Sequence, residues 1–438
     1  MKILAIIATR LSSFLLRLIH RGGSLPGQIG LKLDAHILKK IKVNGPIIVV
    51  TGTNGKTSTS NMITSMLEHA GYRVISNRKG DNLKEGITTV LVSHCSLSGK
   101  VKADAVVLEV DELNIPFTLN QLSVNAMVVT NFFRDQLDRA REMEQLIHKI
   151  ESALEQLQGT LVLNGNDPNV VRLVDHAPYA KAMYFGIDRC ITSSETTNEA
   201  SEGKFCPRCG SRVRYNYYQY SHIGEFQCTS CDFKTPQIDV SGEVIDIPSR
   251  TFAYQNKEFH APQGGLYTRY NCMAVLCVAK LLSIDPAHAD QAFSTIKVPN
   301  GRNETFYFHN QPCVLNLIKN PTGANEVMKV IEEDTAEKTI LIVLNDREQD
   351  GTDISWIYDT FFEKLMKDET KHMIISGARC YDMAVRLKYG GWKQGIEIHE
   401  DMEESVKALL NSSSHMYVIA TYTALQPVRN LLVTLGKA

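Results

Sequence analysis

The residues of this chain most able to do chemistry are at Val50–Thr57, which reads Val-Thr-Gly-Thr-Asn-Gly-Lys-Thr after the apolar run Pro46–Val50. The pattern predicts a buried strand, a tight glycine turn and a helix that begins at the Lys-Thr pair. Backbone amides of such a turn face phosphate groups, and the start of the helix adds partial positive charge. Lys56 can reach the β- and γ-phosphate oxygens of a nucleoside triphosphate, and the Thr57 hydroxyl can hold Mg²⁺.

This loop departs from the usual pattern at one position. The first glycine of a phosphate loop would fall at position 50, which is Val50. The alternative is an ordinary strand-to-helix turn that binds no phosphate. The apolar strand before the loop and the helix after it favour a nucleotide site.

A carboxylate ends a second apolar run, Ala105–Glu109. If this run is a strand next to the phosphate loop, its carboxyl end places Glu109 where it can hold Mg²⁺. The alternative for Glu109 is a helix cap or a surface ion pair. The polar stretch Thr130–Asp138 follows another apolar run, and we expect its side chains at the same edge of the sheet.

Four cysteines form two Cys-x-x-Cys pairs with eighteen residues between them: Cys206, Cys209, Cys228 and Cys231. Four thiolates at this spacing suit tetrahedral Zn²⁺ bound by a hairpin. A complete sulfur shell leaves no open coordination position, so we expect a structural site. Zinc ribbons also bind nucleic acid, but 47 basic against 48 acidic residues give no basic field for that role.

The remaining six cysteines are scattered, and no export signal is evident in the sequence. This usage indicates a reducing cytoplasm and a metal site, not disulfides. A length of 438 residues predicts two or three domains.

Apolar strands and amphipathic helices alternate from about residue 45 to 190, which predicts a parallel sheet covered by helices. After about residue 305 a second α/β unit begins. Its predicted strands are 339–344, 373–376 and 416–420, and its predicted helices are 354–366, 380–389 and 425–435.

The N-terminal segment 1–19 is apolar but carries Lys2, Arg10 and Arg17. It is too short and too charged for a membrane-spanning helix. Its larger apolar residues share one helical face: Leu4, Ile7, Leu11, Phe14, Leu15 and Ile19. This face predicts a helix docked on the first domain, with a helix resting on the membrane interface as the alternative.

Several motifs, in the same order, resemble those of the Mur ligase superfamily. The stretch 51–57 matches its phosphate loop, and 130–138 matches a second signature except that Gln136 replaces a metal-binding histidine. The segments 164–168 and 301–304 resemble its Asn-x-Asp-Asp and Gly-Arg-x-Glu motifs. The resemblance spans nearly the whole chain.

The resemblance implies a fold, an activity and cofactors. The fold would be a helical lead-in at 1–44, a Mur-ligase-like P-loop ATPase domain at 45–300 and a C-terminal Rossmann-like α/β domain at 301–438. The central domain would carry the zinc-ribbon insertion at about 203–236. ATP and Mg²⁺ would activate a carboxylate as an acyl phosphate, which an amine then attacks. Residues implied to bind the nucleotide are Thr53, Asn54, Gly55, Lys56, Thr57, Asn271 and Arg302.

Within the superfamily, a four-cysteine ribbon is typical of the MurT branch of lipid II isoglutaminyl synthases. The segments 25–29, 316–321 and 344–356 also resemble that branch. This implies amidation of the α-carboxyl of D-glutamate in lipid II, with ammonia from a separate GatD-type glutaminase. We expect a cytoplasmic protein that works at the inner face of the membrane during peptidoglycan synthesis.

The resemblance also gives Asp353 a role. In the MurT branch, an aspartate at this position is implied to complete the Cys-His pair of the glutaminase, which makes Asp353 a catalytic residue of the complex. The alternative is a cap for a helix that begins near Ile354.

Two other functions fit parts of the sequence. The first is a Mur- or folylpolyglutamate-type ligase that adds an amino acid without a partner. The second is a binding module built around the zinc ribbon, against which Lys56, Thr57 and Glu109 argue.

Overall fold

The computed structural model describes residues 1–18, 23–77, 81–134, 143–198, 202–246, 249–296 and 303–436. Among these residues, nine strands form one large sheet in the order β13-β12-β11-β8-β7-β6-β2-β5-β3, and six form a second sheet in the order β14-β15-β19-β16-β17-β18. Two short two-stranded sheets pair β1 with β4 and β9 with β10.

The strands are β1 Lys42–Val43, β2 Ile47–Thr51, β3 Val74–Ser76, β4 Lys100–Val101, β5 Ala105–Glu109, β6 Ala126–Val129, β7 Thr160–Asn164, β8 Lys181–Ile187, β9 Val213–Tyr220, β10 Ile223–Cys228, β11 Val240–Asp246, β12 Thr251–Tyr254, β13 Lys257–His260, β14 Glu304–Phe308, β15 Gln311–Leu317, β16 Lys338–Val343, β17 Thr370–Ser376, β18 Ile396–Ile398 and β19 His415–Ala420.

The α-helices are Lys2–Leu18, Leu25–Leu33, Lys56–His69, Lys84–His94, Ile115–Gln121, Met143–Leu154, Pro168–Val171, Leu266–Leu282, Pro286–Thr295, Pro321–Glu333, Cys380–Tyr389, Met402–Leu410 and Tyr422–Leu435. Shorter 3-10 helices are Leu38–Lys40, Glu112–Asn114, Arg172–His176, Ser355–Asp359 and Phe362–Leu365.

The large sheet is parallel from β3 through β11, and β12 and β13 extend it as an antiparallel edge. Strands β2, β5, β6 and β7 are buried along their whole length because helices cover both faces. One apolar cluster on the first face includes Met62, Cys272 and Phe293, and a second on the other face includes Ile6 and Leu91. This two-sided packing explains the continuous apolar runs in the sequence.

The second, smaller sheet has a similar arrangement. Its strands are parallel apart from the β14–β15 hairpin, and apolar clusters lie on both of its faces. The predicted α/β class is therefore confirmed for both units. The domain boundaries at 44 and 300 stay predictions, and residue 300 lies outside the described residues.

Most predicted elements are confirmed, but the helix expected at 354–366 is wrong. This segment instead forms two 3-10 helices, which are separated by Thr360 and Phe361. The Thr360 carbonyl accepts a hydrogen bond from Arg386 at 2.7 Å, and the Phe361 amide donates to Asn325 at 2.8 Å. Because these backbone groups bond to other elements, a continuous helix does not form.

The N-terminal helix Lys2–Leu18 is docked on the large unit, as predicted, but through the opposite face from the apolar stripe. Ala5, Ile6 and Thr9 are fully buried, whereas Leu11 and Phe14 point outward and are more than half exposed. Among the described residues, no helix combines the length and the apolar content that crossing a membrane requires.

Candidate active site

The phosphate-loop glycines adopt a backbone that other residues rarely reach. Gly52 and Gly55 have φ angles of 124° and 86°, in the left-handed region. A Cβ atom on Gly55 would lie 2.4 Å from Oδ1 of Asn271. The helix begins at Lys56, directly after this turn. The loop therefore depends on glycine both for its conformation and for its close approach to Asn271.

Residues that follow strand β6 hold the loop in place. The Asn54 amide donates to Oδ1 of Asn131 at 2.9 Å, and Thr130 Oγ1 donates to the Asn54 carbonyl at 2.7 Å. The Thr53 amide donates to the Asn131 carbonyl at 2.9 Å. Thr130 and Asn131 thus lie at the predicted sheet edge, whereas Gln136 lies outside the described residues.

The lysine of the loop, whose side chain is 11% exposed, faces a carboxylate. Lys56 Nζ lies 3.0 Å from both carboxylate oxygens of Glu112 and 2.5 Å from the Gly52 carbonyl. Burial opposes the charge on Lys56, but the carboxylates of Glu112, Asp111 and Glu109 outweigh it and raise the lysine pKa. Lys56 is therefore a charged ammonium before any phosphate arrives.

Glu112 is a site residue that the sequence analysis missed. It is buried, opens the short 3-10 helix Glu112–Asn114, and lies three residues beyond Glu109. Burial raises its pKa. Its only sequence signal was a position just after the carboxyl end of a buried strand, which it shares with Asp111.

Thr57 and Glu109 meet as the magnesium hypothesis requires. Thr57 Oγ1 lies 3.0 Å from Oε1 of Glu109, and Asn82 Nδ2 donates to the same oxygen at 3.1 Å. Asn77 fixes the Glu109 backbone through both its amide and its carbonyl. Hydroxyl and carboxylate oxygens are ligands that Mg²⁺ prefers, so this pair fits the ion.

A cavity of about 480 Å³ opens between the loop and the second α/β unit. Its walls include the predicted residues Thr53, Asn54, Gly55, Lys56, Thr57, Glu109 and Asn271. The C-terminal unit contributes Lys319, and Asn320 Nδ2 lies 3.3 Å from Oδ1 of Asn54. Arg302 lies outside the described residues, and its neighbour Asn303 lines the cavity.

The four predicted zinc ligands converge. The sulfur atoms of Cys206, Cys209, Cys228 and Cys231 all lie within 4.8 Å of one another. This spacing and the all-thiol donor set fit a tetrahedral Zn²⁺ ion, which would crosslink the two knuckles.

The hairpin β9–β10 that carries the ribbon also reaches the cavity. Tyr220, at the end of β9, lines the cavity and packs against Phe133 at a ring distance of 5.9 Å and Tyr270 at 5.8 Å. Next to it, the buried ring of His222 lies 4.7 Å from Phe133. No motif in the sequence indicated Tyr220 as a site residue.

Asp353 lies apart from the residues that line the cavity. It is partly buried, and its Oδ1 accepts a hydrogen bond from the Ser355 amide at 2.8 Å. Asp353 thus forms a local turn before the 3-10 helix Ser355–Asp359, but the N-cap position of that helix is Ile354, and no side chain caps it. Gln349 of the same segment lines the cavity, whereas Asp353 is not part of its wall. A catalytic role for Asp353 stays a prediction.

Known protein families match both α/β units of the chain. The Mur ligase middle domain family matches residues 50–279, and the MurT ligase C-terminal family matches residues 317–425.

Two relatives are similar over almost their whole length. The MurT subunit of lipid II isoglutaminyl synthase (glutamine-hydrolyzing) from Streptococcus pneumoniae is 32% identical, with 98% of this chain and 97% of the relative covered. The subunit of the same name from Staphylococcus aureus is 33% identical, with 93% and 92% covered.

Solved structures show the same fold at low identity. A pseudomurein peptide ligase type C from Methanothermus fervidus has a TM-score of 0.71 at 20% identity, covering 92% of this chain and 81% of the ligase. Folylpolyglutamate synthase from Thermotoga maritima has a TM-score of 0.59 at 14% identity, with 96% of each chain covered. With matches to both domain families and to full-length relatives, the chain belongs to the Mur ligase superfamily and, within it, to the MurT family.

Proposed function

We propose that this chain is the ATP-dependent subunit of a lipid II isoglutaminyl synthase. It converts the α-carboxyl of D-glutamate in the lipid II stem peptide to the amide of D-isoglutamine. The observation that carries the proposal is an intact Lys56, Thr57 and Glu109 constellation in a chain that matches MurT subunits over nearly its whole length. The activity belongs to peptidoglycan synthesis.

The reaction divides into two displacements. A carboxylate oxygen of the substrate attacks the γ-phosphorus of ATP, ADP leaves, and an acyl phosphate forms. Ammonia then attacks the acyl carbon, phosphate leaves with the former carboxylate oxygen, and the proton that the nitrogen loses passes to the departing phosphate. Both steps need charge neutralised on the moving phosphoryl group, which is the task of a cationic, preorganised cradle.

The chain supplies this cradle from several elements. Lys56, largely buried and charged, lies where the β- and γ-phosphates would enter, and a bound phosphate would replace Glu112 as its partner. Thr57 and Glu109 would hold Mg²⁺, which screens the phosphate charges when bound. Arg302 is proposed to approach the transferring phosphoryl group from the hinge. Asn271, beside Gly55, would contact the nucleotide.

The nitrogen would come from a partner. The names of the relatives describe a glutamine-hydrolysing enzyme of which MurT is one subunit. We propose a GatD-type glutaminase as that partner, with Asp353 orienting the histidine of its Cys-His pair. Free ammonia is scarce at neutral pH, so delivery beside the acyl phosphate raises its effective concentration.

The proposed function also implies where the protein works and which structural metal it holds. Lipid II is lipid-linked, so the enzyme would work in the cytoplasm at the inner face of the membrane. The four-cysteine cluster would hold a structural Zn²⁺.

The test is co-expression of this chain with the glutaminase, purification of the pair, and incubation with lipid II, ATP, Mg²⁺ and glutamine. The expected product is lipid II whose mass shows one acid-to-amide exchange. An unchanged mass under saturating conditions would refute the proposal. The lone chain should amidate lipid II with ammonium more slowly. If it instead joined an amino acid to its substrate, it would be an amino-acid-adding ligase.

A further inference from the structure

The N-terminal helix turns its apolar side away from the protein. It docks through Ala5, Ile6, Thr9 and Ser13, all buried. On the opposite side, six large apolar side chains are between 46% and 63% exposed: Leu4, Ile7, Leu11, Phe14, Leu15 and Leu18. We call these six residues the outer face.

The outer face is a continuous surface. Its residues recur at intervals of three or four, so they share one side of the helix. From Leu4 to Leu18 the helix rises about 21 Å. Soluble monomers rarely expose a contiguous apolar strip of this kind, and such a strip marks an interaction surface.

Basic residues outnumber acidic residues in the part of the sequence that forms the outer face and the elements directly after it. The first 33 residues contain five basic residues and no acidic residue, and Asp34 is the first acid in the chain. Exposed basic side chains include Arg10 on the helix and Lys32, Lys39 and Lys42 on the elements that follow. The whole chain nevertheless has a net charge of −1, so positive charge is concentrated at this end.

We propose that the outer face inserts into the interfacial region of a membrane that contains anionic lipids. Apolar side chains would lie among the acyl chains, while the nearby lysines and Arg10 would face the negatively charged headgroups. A second copy of the chain is a poor occupant because two such faces would bring like charges together. A protein partner would need both an apolar groove and an acidic rim.

The fold connects this face to the cavity. Helix Lys84–His94 packs against the second helix of the chain, where the Gly27 amide donates to Thr89 Oγ1 at 2.8 Å. Asn82 and Leu83, directly before that helix, line the cavity. If the proposed function holds, this packing connects the membrane-facing helix to a wall of the cavity that would receive part of a lipid-linked substrate. The membrane contact itself does not rest on that function.

Sedimentation of the full chain with vesicles tests the proposal. Vesicles of phosphatidylglycerol and phosphatidylcholine should bind the wild-type chain, and vesicles of phosphatidylcholine alone should bind it more weakly. The double variant L11S/F14S removes two exposed side chains and should lower the partition coefficient about 100-fold. The control is Ile191→Ser, an exposed apolar residue in another part of the chain, which should bind like the wild type.

Three results would overturn the proposal. In the first, the wild type stays in the supernatant with anionic vesicles. In the second, L11S/F14S binds these vesicles with the same affinity as the wild type. In the third, L11S/F14S disrupts a dimer or a protein complex while vesicle binding persists. Circular dichroism should show that the double variant is folded.

An activity measurement separates this proposal from the proposed function. L11S/F14S should amidate a water-soluble stem-peptide precursor as fast as the wild type but act more slowly on lipid II in vesicles. If the wild type amidates neither substrate yet still binds vesicles, the proposed function fails and the membrane contact stands.

Discussion

The phosphate loop and the Asp353 segment both carry residues that the sequence marks as functional, but the structure treats them differently. At the loop, Thr57 bonds to Glu109 and Lys56 bonds to Glu112, so the start of one helix is joined to the end of strand β5 and to the turn that follows it. Asp353 bonds to the amide of Ser355, two residues away, and lies outside the cavity wall. A site completed within one chain can be recognised from residues that converge, whereas the role proposed for Asp353 would require a residue that a partner supplies.

The largest expected effect comes from the loop. Lys56→Ala removes the buried cation that would face the β- and γ-phosphates, so amidation should fall at least about 10³-fold with either glutamine or ammonium as nitrogen source. Steady-state assays of amide formation measure the loss. Lys84→Ala, at an exposed lysine, is the matched control and should keep nearly full activity. Retention of full activity by Lys56→Ala would contradict the assignment of the loop.

Asp353→Asn should separate the two nitrogen sources. Loss of the carboxylate that we propose to orient the partner histidine should reduce glutamine-dependent amidation by about 10²-fold or more, while ammonium-dependent amidation is unchanged. Co-purification of the partner should also persist. Asp359→Asn, an exposed acid of the same segment, is the control. Unchanged glutaminase activity of the Asp353→Asn complex would show that Asp353 only forms a local turn.

Loss of a cysteine ligand should lower the stability of the protein more than it lowers the rate of the reaction. Cys228→Ser removes one of four sulfur ligands, so zinc content should fall and the melting temperature should drop by more than about 5 °C. Because Tyr220 lines the cavity from the same hairpin, the KM for ATP should rise several-fold. Cys190→Ser, outside the cluster, should leave the zinc content, the melting temperature and the KM for ATP unchanged. Full zinc content in the Cys228→Ser variant would argue against this ligand set.

The smallest effect concerns the pH dependence of stability. His222 is fully buried, and although burial opposes its charge, Asp167 at 3.3 Å and Glu202 at 3.4 Å raise its pKa to about 9. A folded-state pKa above the unfolded value gives stability that is complete below about pH 6.5 and is lost as pH rises through about 9.

The free energy of unfolding, measured with urea, should therefore fall by about 3 kcal/mol between pH 6 and pH 9.5. His222→Gln should be less stable at pH 6 and should show a flatter profile. An equally steep profile in the His222→Gln variant would assign the titration to another group.

The sequence predicted the loop, Glu109 and the four cysteines because each motif combines residue type with a spacing that one element enforces. Glu112 and Tyr220 were not predicted, since their place at the cavity depends on how separate elements pack. The expected helix at 354–366 fails for the same reason, because Arg386 and Asn325 from distant segments bind its backbone. Periodicity likewise identified the apolar stripe of the N-terminal helix but did not indicate that it faces outward.

The most direct test of acyl phosphate formation uses lipid II labelled with ¹⁸O in the α-carboxylate. The purified complex would be supplied with ATP, Mg²⁺ and glutamine, and the oxygen isotopes of the released phosphate measured by mass spectrometry. If ATP phosphorylates the carboxylate, each amide formed should transfer one ¹⁸O atom to inorganic phosphate. Amide formation with unlabelled phosphate, or with the label in AMP, would contradict the account.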